Sequence, residues 1–379
     1  MDYMLSVVIP TKNRYTYLKK CVESFKNINT NNTEIVVMDN SDSNTEFIEF
    51  MNHMKMDNLH YYYTKDNLSQ VENAELAVKN SSGKFVCFIG DDDSITDELV
   101  KCSEWMNRKG IDAVKFTETG FDWPDVVYGK WRKRRRLRIP YYTGRITKLD
   151  TKKILKKTVK HGAQNMKYLP GVYHAILSRD CLEKIKKKSG KYFPGESPDM
   201  ANAIAASVVL EEHWFIDAPL FVSGVGYESA AGKGLRGAHK GSIKDAKQLS
   251  REAEAKWENR IPELWLGHTI WLQTMVQALK NMKVYDEYKS MINYYPMYAR
   301  IFIKFPEYRK TVLKYCLKPV QRMTLFLYLV RESIVGAEGR IKRKVSTKRG
   351  YETDNIDDLV TAVKYSNKYL SENPKVVWK

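Results

Sequence analysis

The first 90 residues alternate short β-branched runs with segments of helical periodicity, and this alternation is the strongest constraint on the fold. The strand-like runs are LSVVIP (5–10), EIVVMD (34–39), LHYYYT (59–64) and KFVCFIG (84–90). Between them, apolar residues recur at helical spacing over 15–27, 46–56 and 71–79. A β-α-β-α-β-α-β series predicts a parallel sheet with helices on its faces.

Polar residues follow several of the predicted strands at their carboxyl ends. Thr11, Asn13 and Arg14 follow the first strand, Asp39 closes the second, and a run of aspartates follows the fourth. Open α/β sheets bind ligands in the crevice outside the carboxyl ends of their strands. We therefore expect the functional site at this edge of the sheet.

Three adjacent carboxylates, Asp91, Asp92 and Asp93, are the most specific feature of the chain. Neighbouring carboxylates repel one another, and a divalent cation offsets that cost by accepting hard oxygen ligands. Alternation along an extended segment predicts Asp91 and Asp93 on one side and Asp92 on the other. The alternative interpretation is a solvated acidic turn or an N-cap for the next helix.

Charge is unevenly distributed along the 379 residues, which carry a formal net charge of +18. Residues 1–120 contain 13 basic and 19 acidic side chains, which leaves 50 basic and 26 acidic ones for the rest. The basic part predicts an anionic partner, either nucleic acid, a phosphate-bearing molecule or an anionic membrane surface.

The cysteines and the hydropathy pattern indicate the compartment. The five cysteines are scattered and lack CxxC spacing, which argues against a disulfide framework and a zinc site and favours a reducing cytoplasm. The amino terminus reads as a first strand and not as a signal peptide, and no apolar stretch is long enough to span a bilayer.

Four segments together resemble a family 2 glycosyltransferase of the GT-A fold. They are SVVIPTKNR, EIVVMDNSDSN, DNLSQVENAELAVKNSSGKFVCFIGDDDSI and a later SPDM helix start, and the resemblance covers roughly residues 4–230. It implies an α/β, Rossmann-like fold with a mixed, mostly parallel sheet. From about residue 246 onward helical periodicity dominates, which predicts an α-helical carboxyl-terminal extension. The expected division is a catalytic domain at 1–245, with a donor half (1–120) and an acceptor half (121–245), and a basic helical extension at 246–379.

The resemblance also implies an inverting, metal-dependent transfer of a hexosyl or N-acetylhexosaminyl group. The donor would be a nucleotide sugar, with a UDP-sugar favoured, and the cofactor Mn²⁺ or Mg²⁺. The implied donor-binding residues are Pro10, Thr11, Asn13, Arg14, Asp39, Asn73, Asp91, Asp92, Lys233 and Arg236. The implied metal ligands are Asp93, Asp91 and His239. The usual family motif is Asp-x-Asp-Asp, whereas Gly90 occupies its first position here, so the division of roles among the three aspartates stays open.

Asp199 is the expected catalytic base. It follows Pro198 in the first turn of a predicted helix at 198–210, the position at which the family places its catalytic carboxylate. Glu196 is the second candidate. The alternative is that Asp199 only interacts favourably with the helix dipole.

The expected acceptor is a glycan or a lipid-linked glycan of bacterial capsule, O-antigen or teichoic acid synthesis, as the resemblance implies. An apolar stretch, 323–330, lies between basic clusters and predicts either an interfacial helix at an anionic membrane, a core helix or an oligomer contact. The protein would then be cytoplasmic and peripheral on the inner face of the cell membrane.

The basic run KWRKRRRLR (130–138) lacks the interleaved aromatics of nucleic-acid-binding patterns, so nucleic acid is not favoured. The competing functions are a non-catalytic module that binds nucleic acid or membrane, and a nucleotidyltransferase.

Overall fold

The computed structural model describes residues 3–128, 136–246, 248–345 and 350–378. Its strands are β1 (Leu5–Thr11), β2 (Thr33–Asp39), β3 (Leu59–Tyr63), β4 (Phe85–Phe88), β5 (Ser94–Ile95), β6 (Ala113–Asp122), β7 (Leu137–Ile139), β8 (Ile146–Asp150), β9 (Ala175–Ser178), β10 (Glu212–Val225) and β11 (Tyr351–Thr353).

The α-helices lie between these strands and in the carboxyl-terminal third. They are α1 (Tyr15–Ser24), α2 (Thr45–His53), α3 (Gln70–Lys79), α4 (Asp97–Lys109), α5 (Thr151–Lys160), α6 (Arg179–Ser189), α7 (Pro198–Val209), α8 (Ala230–Leu235), α9 (Gly267–Asn281), α10 (Tyr285–Tyr288), α11 (Tyr295–Lys304), α12 (Arg309–Leu313), α13 (Pro319–Val345) and α14 (Leu359–Glu372). The four strands and three helices predicted from the first 90 residues are confirmed, with shifts of a few residues at their ends.

The strands form one mixed sheet. Its main path runs β11-β7-β6-β9-β4-β1-β2-β3, and β10 pairs with β5, β6 and β8 beside this path. The pairs within β4-β1-β2-β3 are all parallel, and β9 joins β4 in the antiparallel direction. The predicted α/β class, with a mixed sheet and a helical carboxyl-terminal region, is confirmed.

Each face of the sheet covers its own apolar core, because successive side chains of a strand point to opposite faces. Val8, Val36 and Val86 pack against helices that include α3, α7 and α9. Their neighbours Val7 and Ile35 pack on the other side, where α1, α2, α4 and α14 lie. Two-sided burial explains why the central strands read as continuous apolar runs and not as an alternating pattern.

Residues 350–378 return to the sheet. Strand β11 pairs with β7 in the antiparallel direction, and Trp378 donates a hydrogen bond of 2.7 Å to Glu98 on α4. Ile356, Leu359 and Val363 are buried in the core that also contains α1 and α4. The region 246–379 therefore has two parts: α9–α13 cover one face, and β11 with α14 complete the other.

The cysteines and the hydropathy of the helices can be compared with the predictions from the sequence. All five cysteines are buried and unpaired. No helix among the described residues has both the length and the apolar character that crossing a membrane requires.

Residues 130–135 of the basic run lie outside the described residues. Of the remainder, Arg136 is buried, and Arg138 pairs with Asp122 at 2.7 Å, so both serve the fold.

We predict that Leu359→Ala lowers the free energy of unfolding by about 2–5 kcal/mol, because this fully buried side chain fills the core beneath the sheet. Chemical denaturation of the full chain measures the change. Lys364→Ala, an exposed position on the same helix, is the control and should change stability little. Equal effects of the two substitutions would mean that α14 is not part of the core.

Candidate functional site

The loop after β1 lies at the expected edge of the sheet and is held by side chains from two neighbouring segments. Asn13 adopts φ 57°, a left-handed conformation that Asn tolerates, and its side chain exchanges two 3.0 Å hydrogen bonds with Asp42. Asn73 on α3 donates to the carbonyls of Thr11 and Met38, which joins the ends of β1 and β2. Asn73 therefore positions the loop, and its buried Oδ1 has no partner among the described residues.

Asp39 lies at the end of β2, where the sequence predicts it, but its carboxylate is fully buried. Tyr15 and Tyr61 donate their hydroxyls to its Oδ2 at 2.6 and 2.7 Å, and the Ser41 amide donates to Oδ1 at 2.8 Å. In this arrangement Asp39 organises the crevice wall through Tyr15, Tyr61 and Ser41. Direct contact between Asp39 and a nucleoside stays a prediction.

Asp91, Asp92 and Asp93 form a buried cluster just beyond β4, less than 6% exposed. The Arg14 guanidinium lies 2.9 Å from Asp91 Oδ1 and 3.0 Å from Asp92 Oδ2. Thr11 donates its hydroxyl to Asp91 Oδ2 at 2.6 Å. The loop after β1 and the aspartates after β4 are therefore one site, as their positions in the sequence predict.

Two glycines permit this packing. A Cβ on Gly90 would lie 2.8 Å from Asp92 Oδ1 and 2.9 Å from Asp93 Oδ2, so a side chain there would crowd both carboxylates. A Cβ on Gly224, at the end of β10, would lie only 1.8 Å from the Asp92 carbonyl oxygen. The glycine that replaces the first aspartate of the usual motif thus has a steric role.

Electrostatics at this cluster are unbalanced, because one guanidinium pairs with two carboxylates while a third lies beside them. Burial, together with the negative charges of Asp93 and Asp91, raises the pKa of Asp92 to about 7 against the opposing effect of Arg14. Burial also raises the pKa of Asp91, again opposed by Arg14 and by the Thr11 hydroxyl. The cluster therefore favours binding of a proton or of a further cation.

Asp93 lies in a different environment from its two neighbours. Its Oδ1 accepts from the Gly224 amide and its Oδ2 from the Gly90 amide, both at 2.8 Å. Tyr173 Oη and His174 Nε2 lie 3.4 Å from Oδ2. Asp93 is thus the carboxylate that backbone amides hold in place.

His174 is a site residue that the sequence analysis missed. Its Nδ1 lies 2.8 Å from Glu118 Oε2, and its ring stacks between those of Tyr173 and Phe221. Burial acts to lower the His174 pKa, but the contacts with Asp93 and Glu118 outweigh it and raise the pKa. The available signal was weak: a histidine at the start of a strand-like run, with partners 56 and 81 residues away.

Asp199 stands in the first turn of α7, which begins at Pro198 as predicted. Its Oδ1 accepts hydrogen bonds from the Ser197 hydroxyl and the Met200 amide. Burial lowers the pKa of Lys115, and the negative charges of Glu118 and Asp199 oppose that shift. Glu196, the second candidate base, is buried and accepts two hydrogen bonds from Ser250, so it anchors a loop.

The glycine-rich segment after β10 carries Lys233 and Arg236. Both pair with Glu228, at 3.1 and 3.6 Å, and the Arg236 guanidinium stacks 3.5 Å from the Tyr227 ring. The Tyr227 amide and the Tyr17 hydroxyl both donate hydrogen bonds to Asp125, which ties this segment to α1 beside Arg14. A single exposed acid, Glu228, therefore holds both cations on a segment that is tied to α1.

His239 packs against Trp265 with 5.3 Å between ring centroids, and burial lowers its pKa. Among the described residues, no group of three or more His, Cys, Asp or Glu side chains is arranged to hold a metal ion. The carboxylate oxygens of Asp91–Asp93 nevertheless suit a divalent cation, because the buried negative charges outnumber the positive charges paired with them. Such an ion would need further ligands, which the oxygens of a bound diphosphate can provide.

We predict that Gly224→Ala lowers the free energy of unfolding by about 1–3 kcal/mol, because the added methyl group meets the Asp92 carbonyl. Thermal unfolding measures the change. Gly234→Ala is the matched control, since nothing lies within 4 Å of its Cβ position. A Gly224→Ala protein as stable as the control would show that β10 does not approach Asp92 so closely.

The raised pKa of Asp92 predicts a pH-dependent stability. The folded state holds this proton more tightly than the unfolded chain, so the free energy of unfolding falls as pH rises from about 4 to about 7. We expect Asp92→Asn to reduce that slope and to stabilise the protein near pH 7. Urea denaturation in EDTA across this range measures it, with exposed Asp57→Asn as the control. An unchanged slope would contradict the burial argument.

Comparison with known proteins identifies the amino-terminal region. The family described as "Glycosyl transferase family 2" matches residues 6–165. A GalNAc(5)-diNAcBac-PP-undecaprenol beta-1,3-glucosyltransferase from Campylobacter jejuni is 33% identical over 93 residues, which are 24% of this chain and 30% of that protein. An uncharacterised glycosyltransferase from Rickettsia bellii is 33% identical over 92 residues, 24% of this chain and 13% of that protein. The match thus spans less than a third of either relative.

A solved structure of S. aureus TarS 1-349 in complex with UDP-GlcNAc aligns with 82% of this chain and 79% of that one, at 16% identity and a TM-score of 0.48. The family match covers β1–β4, the loop with Arg14 and the three aspartates, all of which the sequence assigned to this family. Residues 6–165 thus match glycosyl transferase family 2, in agreement with the resemblance seen in the sequence.

Proposed function

We propose that this protein is an inverting glycosyltransferase that moves a sugar from a nucleotide-diphosphate sugar to a hydroxyl group of a glycan or lipid-linked acceptor. The observation that carries the proposal is the buried Asp91–Asp93 cluster, paired with Arg14 within a family 2 domain. The transferred group would be a hexosyl or N-acetylhexosaminyl unit, with a UDP-sugar as the favoured donor.

The donor would occupy the crevice at the carboxyl ends of β1, β2 and β4. Pro10, Thr11, Asn13 and Arg14 would surround the nucleoside and its phosphates, and Asp39 and Asn73 would support that wall. Lys233 and Arg236 would exchange their partner Glu228 for the diphosphate, because two cations near one exposed acid suit a dianionic ligand. Residues 1–120 would form the donor half, and residues 121–245 the acceptor half.

Asp91 and Asp93 are the proposed ligands of Mn²⁺ or Mg²⁺, with His239 as a third candidate. A divalent cation bound there would neutralise charge that develops on the diphosphate leaving group. Asp92 would remain paired with Arg14 on the donor side. The raised pKa values of Asp91 and Asp92 support this assignment, since they indicate an excess of buried negative charge.

Asp199 is the proposed general base. The acceptor oxygen forms a bond to the anomeric carbon while the bond from that carbon to the diphosphate oxygen breaks, and the electron pair leaves with the diphosphate. The acceptor proton passes to Asp199 Oδ2, because Oδ1 already accepts two hydrogen bonds. Attack opposite the leaving group inverts the anomeric configuration.

A role in bacterial surface polysaccharide synthesis in the cytoplasm is part of the proposal. The Campylobacter relative is named for an acceptor linked to undecaprenyl diphosphate, which supports a lipid-linked acceptor for this chain as well. The buried, unpaired cysteines agree with a reducing compartment.

We predict that Asp199→Asn lowers sugar transfer by about 10²–10⁴-fold and leaves donor affinity nearly unchanged, because the amide cannot accept the proton. Transfer to the acceptor and thermal shift with UDP-, GDP- and dTDP-sugars, with and without Mn²⁺, measure the two properties. Asp180→Asn, an exposed acid in the first turn of α6, is the matched control.

Equal loss of transfer and donor binding would contradict the assignment of Asp199 as the base. Absence of binding to every nucleotide sugar, with or without metal, would contradict the whole function. Release of pyrophosphate from a nucleoside triphosphate would instead favour a nucleotidyltransferase.

A further inference from the structure

The outer face of α13 carries a continuous apolar stripe. Nine of the eighteen exposed large hydrophobic side chains in the described residues lie between 317 and 341, each 43–71% exposed. Six of them define what we call the α13 stripe: Val320, Met323, Leu327, Val330, Ile334 and Ile341. Single exposed apolar residues are common, whereas a contiguous patch of this kind marks a contact surface.

The spacing of the stripe places its members on one side of the helix. Successive members are separated by three, four or seven residues, so their side chains lie above one another along about 30 Å of helix. The opposite side holds α13 to the protein: Leu325 is buried, and Glu332 accepts a 2.8 Å hydrogen bond from Arg300 on α11. The fold therefore does not need the stripe, and substitutions there should leave it intact.

A strongly positive surface adjoins the stripe. Arg331 lies at its edge and contacts His161, at the end of α5, at 2.8 Å. Five lysines of α5, with Asp150 and His161, line a groove of about 460 Å³. Lys153, Lys156, Lys157 and Lys160 are exposed, and no carboxylate of the described chain lies within ion-pair distance of them.

We propose that this face docks on an anionic phospholipid bilayer, with the α13 stripe among the acyl chains and the α5 lysines on the lipid phosphates. Charge complementarity favours lipid over a second copy of this chain, because self-association would bring two sets of unpaired lysines together. Helices α7, α9, α11 and α13 contact one another in that order and share one core. The bilayer would therefore contact the stack of helices that begins with α7, which carries Asp199.

Vesicle co-sedimentation of the full chain tests this surface. We expect binding to vesicles that contain phosphatidylglycerol, little binding to pure phosphatidylcholine, and weakening by high salt. Replacing Met323, Leu327 and Ile334 together with Gln should weaken binding about a hundredfold. Replacing Lys153, Lys156 and Lys160 with Gln should weaken it about fivefold per lysine at low salt.

The matched control replaces exposed apolar residues elsewhere, Ile48, Tyr62 and Tyr365, with Gln and should bind like the wild type. Equal binding to neutral and anionic vesicles, or full binding by the stripe variant, would overturn the proposal. So would a dimer that the stripe variant dissociates, in a protein that binds no vesicles. Donor hydrolysis without lipid is measured in parallel, so that failure of the membrane contact is distinguished from failure of the proposed reaction.

Discussion

The burial of three adjacent carboxylates against one guanidinium is the constraint on which the rest of the site depends. Arg14 must reach across from the loop after β1 to Asp91 and Asp92, which requires the left-handed turn at Asn13 and the support of Asn73 beneath it. Gly90 and Gly224 must lack side chains so that the strand ends can close around the cluster. The raised pKa values of Asp91 and Asp92 record the electrostatic cost of this arrangement, and a cation with a diphosphate would relieve it.

The two faces of the sheet are covered by different sets of helices. One face is completed by the return of the chain end, where α14 packs beside α1 and α4 and stabilises the strands that carry the aspartates. The other face carries α7, with Asp199 in its first turn, and the stack of α9, α11 and α13 beyond it. The proposed base and the proposed membrane contact therefore belong to the same stack of helices, which is separate from the helices on the other face of the sheet.

The charge pattern follows the same division. The excess of acids in residues 1–120 includes the buried cluster, whose negative charge suits a metal ion. The basic excess of the remaining residues is partly internal, as with Arg138 and Asp122, and partly displayed on α5 next to the α13 stripe. Exposed lysines and exposed apolar side chains on neighbouring helices are the combination that anionic lipid surfaces recognise.

The sequence by itself determined the α/β series of the first 90 residues, the aspartate run after β4 and the helix that opens at Pro198, because each is encoded by local spacing, propensity or capping. It could not reveal the His174 contacts with Asp93 and Glu118, the closure of Gly224 on Asp92, or the return of α14 to the core. These features join residues that are far apart in the chain, and only the topology of the sheet brings them together. The exposure of the α13 stripe also depends on tertiary packing, since the same apolar pattern is typical of a buried helix and of an interfacial one. Periodicity tells which side of an element is apolar, whereas packing decides whether that side is covered.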